Sequence, residues 1–136
     1  MRSEAVFLDA SCWIALRDPE ELRHAAAQRV VAEVLRQRRG FVVTSFVFAE
    51  THAYFARSRF RRQQILDDFE QNPVIRNEPT TLADHDEAIQ ILRRYADKAW
   101  SFCDALSLVV MRRLGLRQAA SFDQHFHQFG EFEVIP

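Results

Sequence analysis

Ala5-Val6-Phe7-Leu8-Asp9 is a short apolar, β-favouring run that stops on an acid. It predicts a first strand. Two similar runs follow at Phe41-Val42-Val43-Thr44 and Gln118 to Ser121, and shorter ones at Val74-Ile75 and Phe132 to Ile135. Helical patterns fill the gaps between them. A turn of helix covers Trp13 to Leu16 and stops near Asp18-Pro19. Glu20 to Arg39 carries apolar residues at 22, 26, 30 and 34, the period of an amphipathic helix, with Gly40 read as its stop. Ser45 is expected to cap a helix to about Arg57, and Phe60 to Gln71 reads as another. A helix from Thr81 or Asp84 should bury a stripe at 82, 89, 92 and 96. Phe102 to Leu114 is apolar on nearly every side, so it predicts a central helix, stopped by Gly115. Strands alternating with helices predict an α/β fold with a mainly parallel sheet covered on both faces.

Four acids interrupt this apolar framework: Asp9, Glu50, Asp104 and Asp123. Asp9 and Asp123 fall at carboxyl ends of predicted strands, where open α/β sheets bind ligands. Asp104 opens the apolar segment Ala105 to Leu114. Glu50 is surrounded in sequence by Phe46, Val47, Ala53 and Tyr54. A buried, unpaired carboxylate costs several kcal/mol or loses its charge. Four converging on one divalent cation would remove that cost. An all-oxygen donor set suits Mg²⁺ or Mn²⁺, and such ions serve phosphodiester hydrolysis.

Each acid also has a plainer reading. Ser101 and Asp104 are spaced as a capping box. Asp9 and Asp123 could cap the helices after them. Glu50 is too far into its helix to cap, so its alternative is a buried salt bridge to an arginine. His125 and His127, two residues apart without a third ligand, are a weak metal signal, with one expected to pack and one to be exposed. Trp13 and Trp100 are read as buried rather than as base-stacking platforms. Cys12 and Cys103 lack zinc spacing and are expected to be buried reduced thiols.

With 136 residues and three glycines, the chain reads as one domain over 1–136 without a linker. No apolar run approaches a membrane span and no signal peptide precedes Asp9, so a cytoplasmic protein with no membrane partner is expected. Net charge is −1. With the four acids set aside, 15 carboxylates face 18 basic groups, all arginine but Lys98. Arg57, Arg59, Arg61 and Arg62 surround Phe60 between two helices. They could grip RNA phosphates or form a solvated helix junction. No nucleophile elbow, P-loop or dinucleotide fingerprint is present.

Taken in order, the motifs resemble a known family. Phe7-Leu8-Asp9-Ala10-Ser11, Thr44-Ser45 followed by Glu50, Ser101-Phe102-Cys103-Asp104-Ala105 and Ser121-Phe122-Asp123-Gln124-His125-Phe126 are similar to the four acidic motifs of PIN-domain ribonucleases, most closely VapC-type toxins. The resemblance spans Val6 to Phe129. Ser121 stands where threonine is more usual. It implies a three-layer α/β/α fold with four to five strands. It further implies that Asp9, Glu50, Asp104 and Asp123 hold Mg²⁺ or Mn²⁺ and catalyse hydrolysis, with Ser121 and Ser11 in support. RNA is the implied substrate, a homodimer the implied assembly, and an antitoxin the implied inhibitor. Two other functions remain open on the sequence: a PIN-type RNA-processing nuclease without antitoxin, and a non-catalytic metal-binding module. Growth on overexpression separates the first from a toxin, and RNA cleavage separates the second.

Overall fold

The computed structural model describes residues 4–136. Its strands are β1 (Val6–Leu8), β2 (Phe41–Val43), β3 (Ile75–Asn77), β4 (Gln118–Ala120) and β5 (Glu133–Ile135). Its helices are α1 (Ala10–Arg17), α2 (His24–Arg36), α3 (Ser45–Tyr54), α4 (Arg59–Glu70), α5 (Leu82–Arg94), α6 (Phe102–Leu114) and α7 (Gln124–Phe129). The sheet has the order β3-β2-β1-β4-β5, with every pairing parallel. Helices cover both faces, giving three layers, α/β/α.

β1 and β2 are buried along their whole length because helices lie on both sides of them. The core joins Phe7, Trp13, Ile65, Leu106, Met111 and Phe126, all fully enclosed. α6 is buried without interruption from Asp104 to Met111, which explains its all-round apolar sequence. Gly115 ends it in the left-handed region at φ 69°, where a side chain would be strained.

Strand order decides where a site can form. From β1 the chain builds outwards through β2 to β3, then returns to lay β4 on the other side of β1. The switch point therefore lies between β1 and β4, where the following helices leave in different directions and open a crevice. Leu8 is in register with Ala120, and the Asp9 amide donates to the Ala120 carbonyl at 3.1 Å. Asp9 and Ser121 thus emerge side by side at the carboxyl edge.

Several expectations change. α2 starts at His24, not Glu20, because residues 18–24 form successive turns: Glu21 donates to the Asp18 carbonyl and His24 to that of Glu21. Leu22 therefore sits on a turn and is 92% exposed. The same helix ends before Gly40, with Arg38 taking the positive φ of 59°. Gly40 has a different task. A Cβ there would lie 2.9 Å from the Val74 carbonyl oxygen, so the β2 and β3 backbones approach only because glycine has none. α3 is capped by Thr44, whose Oγ1 accepts from the Val47 amide at 3.2 Å, and not by Ser45; it ends at Tyr54 rather than near Arg57.

α5 does not bury the expected stripe. Leu82 is 83% exposed and Ile89 also faces solvent, whereas Asp84, Ala88 and Ile91 face inwards. Asp84 is admitted because Arg113 of α6 meets it with two hydrogen bonds, 2.9 Å to Oδ1 and 2.8 Å to Oδ2. A matching pair ties α1 to α4. Asp68 accepts from Arg17 Nε at 2.7 Å and from Trp13 Nε1 at 2.9 Å. Trp100 likewise packs inwards and donates to Gln128 at 2.9 Å, as a buried tryptophan should.

Candidate active site

Asp9 follows β1 directly and caps α1. It is 5% exposed. Its Oδ2 accepts from Ser11 Oγ at 2.7 Å and Ser121 Oγ at 2.8 Å. The two serines are then read by the opposite strand end: the Phe122 amide donates to Ser11 Oγ at 2.9 Å and the Asp123 amide to Ser121 Oγ at 3.0 Å. One carboxylate oxygen is thereby clamped by hydroxyls that the β4–α7 backbone itself orients.

Asp104 sits in the first turn of α6. The capping box expected from sequence is present: Ser101 Oγ accepts from the Asp104 amide at 3.0 Å, and Asp104 Oδ2 accepts from the Ser101 amide at 2.9 Å. Asp123 caps α7 through a 2.9 Å bond from the His125 amide. Two of the four acids are therefore helix N-caps, and a third, Asp104, completes a capping box from the first turn. That role and convergence are compatible, since a cap position places a carboxylate at the sheet edge where the helices begin.

Glu50 departs from expectation. α3 buries Val47 and Thr51, while Ala49, Glu50, Ala53 and Tyr54 are exposed. The apolar letters around Glu50 do not enclose it, and among the described residues no arginine pairs with it. Burial of part of the side chain still raises its pKa; a bond from the Cys103 thiol opposes this, and the charges of Asp104 and Asp123 add to it. Its carboxylate thus shares a field with two acids from other elements.

The same field acts on Asp9. Burial is the largest cause, lifting its pKa from 3.8 to about 6 against the lowering effect of Ser11 and Ser121, with Asp123 and Glu50 contributing further. Cys12 is pushed up to about 12 by burial and by Asp9. Cys103, half-buried, is raised well above the ordinary thiol range by burial and by Glu50, Asp9 and Asp104. Neither thiol is activated.

Asp104, Asp123 and His125 bring ligand atoms to within 4.8 Å of one another; Asp9 and Glu50 lie outside this tight group. His125 Nδ1 is 2.8 Å from Asp104 Oδ2 and 3.5 Å from Asp123 Oδ1. Facing a carboxylate, Nδ1 carries the proton. His125 packs while His127 is exposed. Sequence spacing made this pair a weak signal because its partner, Asp104, comes from another helix. Among the described residues, His125 is the one basic side chain within 4.0 Å of any of the four acids. Two carboxylates and an imidazole, without lysine or arginine, make a donor set that could hold a divalent cation.

Arg57 and Arg59 are exposed at the α3–α4 junction. Arg61 bonds to Gln64 at 2.8 Å and lies over the Phe60 ring, 5.0 Å from its centroid. Arg62 is half-buried. None of the four pairs with the site acids.

A PIN-domain family model matches residues 6–131. The 23S rRNA-specific endonuclease VapC20 of Mycobacterium tuberculosis is 32% identical over 133 residues, covering 96% of this chain and 98% of that protein, in each of two strains. The crystal structure of VapC20, a sarcin–ricin loop cleaving toxin, superposes with a TM-score of 0.85 at 27% identity, covering 97% of this chain and all of that one. FitAcB from Neisseria gonorrhoeae gives a TM-score of 0.70 at 16% identity over 96% of both chains, a likeness of fold. The chain belongs to the PIN-domain family and is of the VapC type.

Proposed function

We propose that this chain is a Mg²⁺- or Mn²⁺-dependent endoribonuclease toxin that cuts 23S rRNA in its sarcin–ricin loop. The observation that carries the reading is that Asp104 and Asp123 bring ligand atoms within 4.8 Å of each other and of His125, with the charges of Asp9 and Glu50 felt by the same acids and no lysine or arginine paired with any of the four among the described residues. A cation joining such a cluster would offset the repulsion among its carboxylates. Asp9, Glu50, Asp104 and Asp123 would hold that ion. When bound, it supplies charge neutralisation at the phosphate and activation of water.

The chain's own residues prepare this. Ser11 and Ser121 fix the Asp9 carboxylate and favour its charged form. The Ser101 capping box and His125 aim Asp104. The half-buried Cys103 thiol, its pKa raised by burial and by Glu50, does not compete as a nucleophile. Arg57, Arg59, Arg61 and Arg62 are proposed to hold the RNA backbone away from the cut. No helix among the described residues is long and apolar enough to cross a membrane, in keeping with a cytoplasmic enzyme acting on ribosomes. We further propose a single catalytic domain over 1–136, a homodimer that covers the exposed Tyr54 face, and an inhibiting antitoxin.

The reading is tested by incubating the purified protein with ribosomes and Mg²⁺ and mapping the ends by primer extension. One cut within the sarcin–ricin loop, together with growth arrest on expression, is expected. Cuts elsewhere in RNA without arrest indicate a processing nuclease. No cut with metal bound indicates a binding module.

A further inference from the structure

A crevice dominated by carboxylates repels the strand it must cut. Even with a cation in place, the phosphates flanking the scissile one approach carboxylates. A cation of the protein itself is needed at the rim, close to the acids yet not paired with them. Several arginines here are committed: Arg17 to Asp68, Arg36 to Glu33, Arg39 to the Glu4 carbonyl, Arg112 to Glu131 and Arg113 to Asp84. Arg23 is not among them. It stands just before α2, and its guanidinium lies over the Phe122 ring, 5.1 Å from the centroid. Among the described residues no carboxylate comes within 4.0 Å of it, and its side chain makes no hydrogen bond.

Phe122 is no arbitrary platform. It lies between Ser121, which clamps Asp9, and Asp123, and its own amide is held by Ser11. A guanidinium held over that ring is kept on the acid-bearing β4–α7 segment. Contact with a ring engages none of its N–H donors in a hydrogen bond, and those donors suit bidentate phosphate contact. We propose that Arg23, positioned by Phe122, receives an RNA phosphate neighbouring the one that is cut. This inference rests on the nuclease reading above. It assigns Arg23 to binding the strand, not to the chemical step.

The test measures cleavage of a synthetic RNA hairpin carrying the sarcin–ricin sequence, with Mg²⁺, by wild type, Arg23→Ala, Arg23→Lys and Arg36→Ala. Losing a charge-assisted contact should raise KM about 10-fold in Arg23→Ala with kcat within about 2-fold. Arg23→Lys should fall between, because lysine keeps the charge but not the planar fork. Arg36→Ala removes one charge from the far end of α2 and should match wild type. Binding of the same hairpin to Asp9→Asn, with and without Arg23→Ala, should show a salt slope shallower by about 1 when Arg23 is absent. Wild-type cleavage with unchanged KM and salt slope in Arg23→Ala overturns the inference and leaves the nuclease reading intact. The same result with weakened antitoxin association assigns the contact to a protein partner, and also overturns it. A fall in kcat alone contradicts a strand-binding role. If wild type neither binds nor cuts RNA, both readings fall together.

Discussion

Replacing the acid at the centre of the site should stabilise the metal-free protein. Asp9 is buried, and its pKa stands at about 6 against an ordinary 3.8. A raised carboxyl pKa means that folding favours the protonated form. That contribution is complete below pH 3.8 and is lost as pH rises through about 6. Two units correspond to about 3 kcal/mol at pH 8. Asp9→Asn escapes this loss, because its amide oxygen can still accept from Ser11 and Ser121 while its NH₂ faces the neighbouring carboxylates. Urea unfolding in chelator should therefore show the variant about 3 kcal/mol more stable at pH 8, an increase of about 10 °C in Tm. The advantage should shrink steadily below pH 6 and vanish near pH 4. Saturating Mg²⁺ should stabilise wild type and not the variant. A variant no more stable than wild type at pH 8, or an advantage independent of pH, would refute the claim that Asp9 is held at the cost of folding stability.

Other consequences are open to measurement. Ser121→Ala removes a 2.8 Å bond to Asp9 and frees the Asp123 amide, so Mn²⁺ affinity by calorimetry at pH 7 should fall about 10-fold, and an unchanged affinity would contradict the clamp. Arg113→Ala strands the buried Asp84, whose carboxyl is pushed up by burial but held below its ordinary value by Arg113 and Thr81; unfolding should show a loss of about 3 kcal/mol near neutrality, shrinking as acid protonates Asp84. Gly40→Ala meets the Val74 carbonyl and should lower the urea midpoint, by about 1–3 kcal/mol in stability. Iodoacetamide at pH 8 should label neither Cys12 nor Cys103 in the folded protein, and rapid labelling of Cys103 would contradict the acid field around it.

The sheet could be read from Val6-Phe7-Leu8, Phe41-Val42-Val43 and Gln118 to Ala120 because buried parallel strands are written as short continuous apolar runs. α6 was legible for the same reason, and Gly115 marked its end. Periodicity failed where charge or turn geometry decided burial. Leu22 and Leu82 fit an apolar stripe but lie on a turn and at a helix start, while Asp84 is buried in their place because an arginine from a neighbouring helix meets it. Asp9, Asp104 and Asp123 could be located by their places at strand ends and helix starts. Their mutual approach depends on the strand order, which no local pattern states. Glu50 is exposed despite its apolar sequence neighbours, since neighbours on a helix do not reveal which face meets the core. His125 and Arg23 acquire their settings from Asp104 and Phe122, partners far away in the chain.

The most direct test of the central claim is cleavage of a sarcin–ricin hairpin by the metal-stripped protein, before and after adding Mg²⁺ or Mn²⁺, with Asp9→Asn and Asp104→Asn in parallel. The account predicts no cutting without metal, cutting when it is added, and a loss of at least about 100-fold in both folded variants. Wild-type rates in either variant, or full cutting after rigorous metal removal, would contradict it.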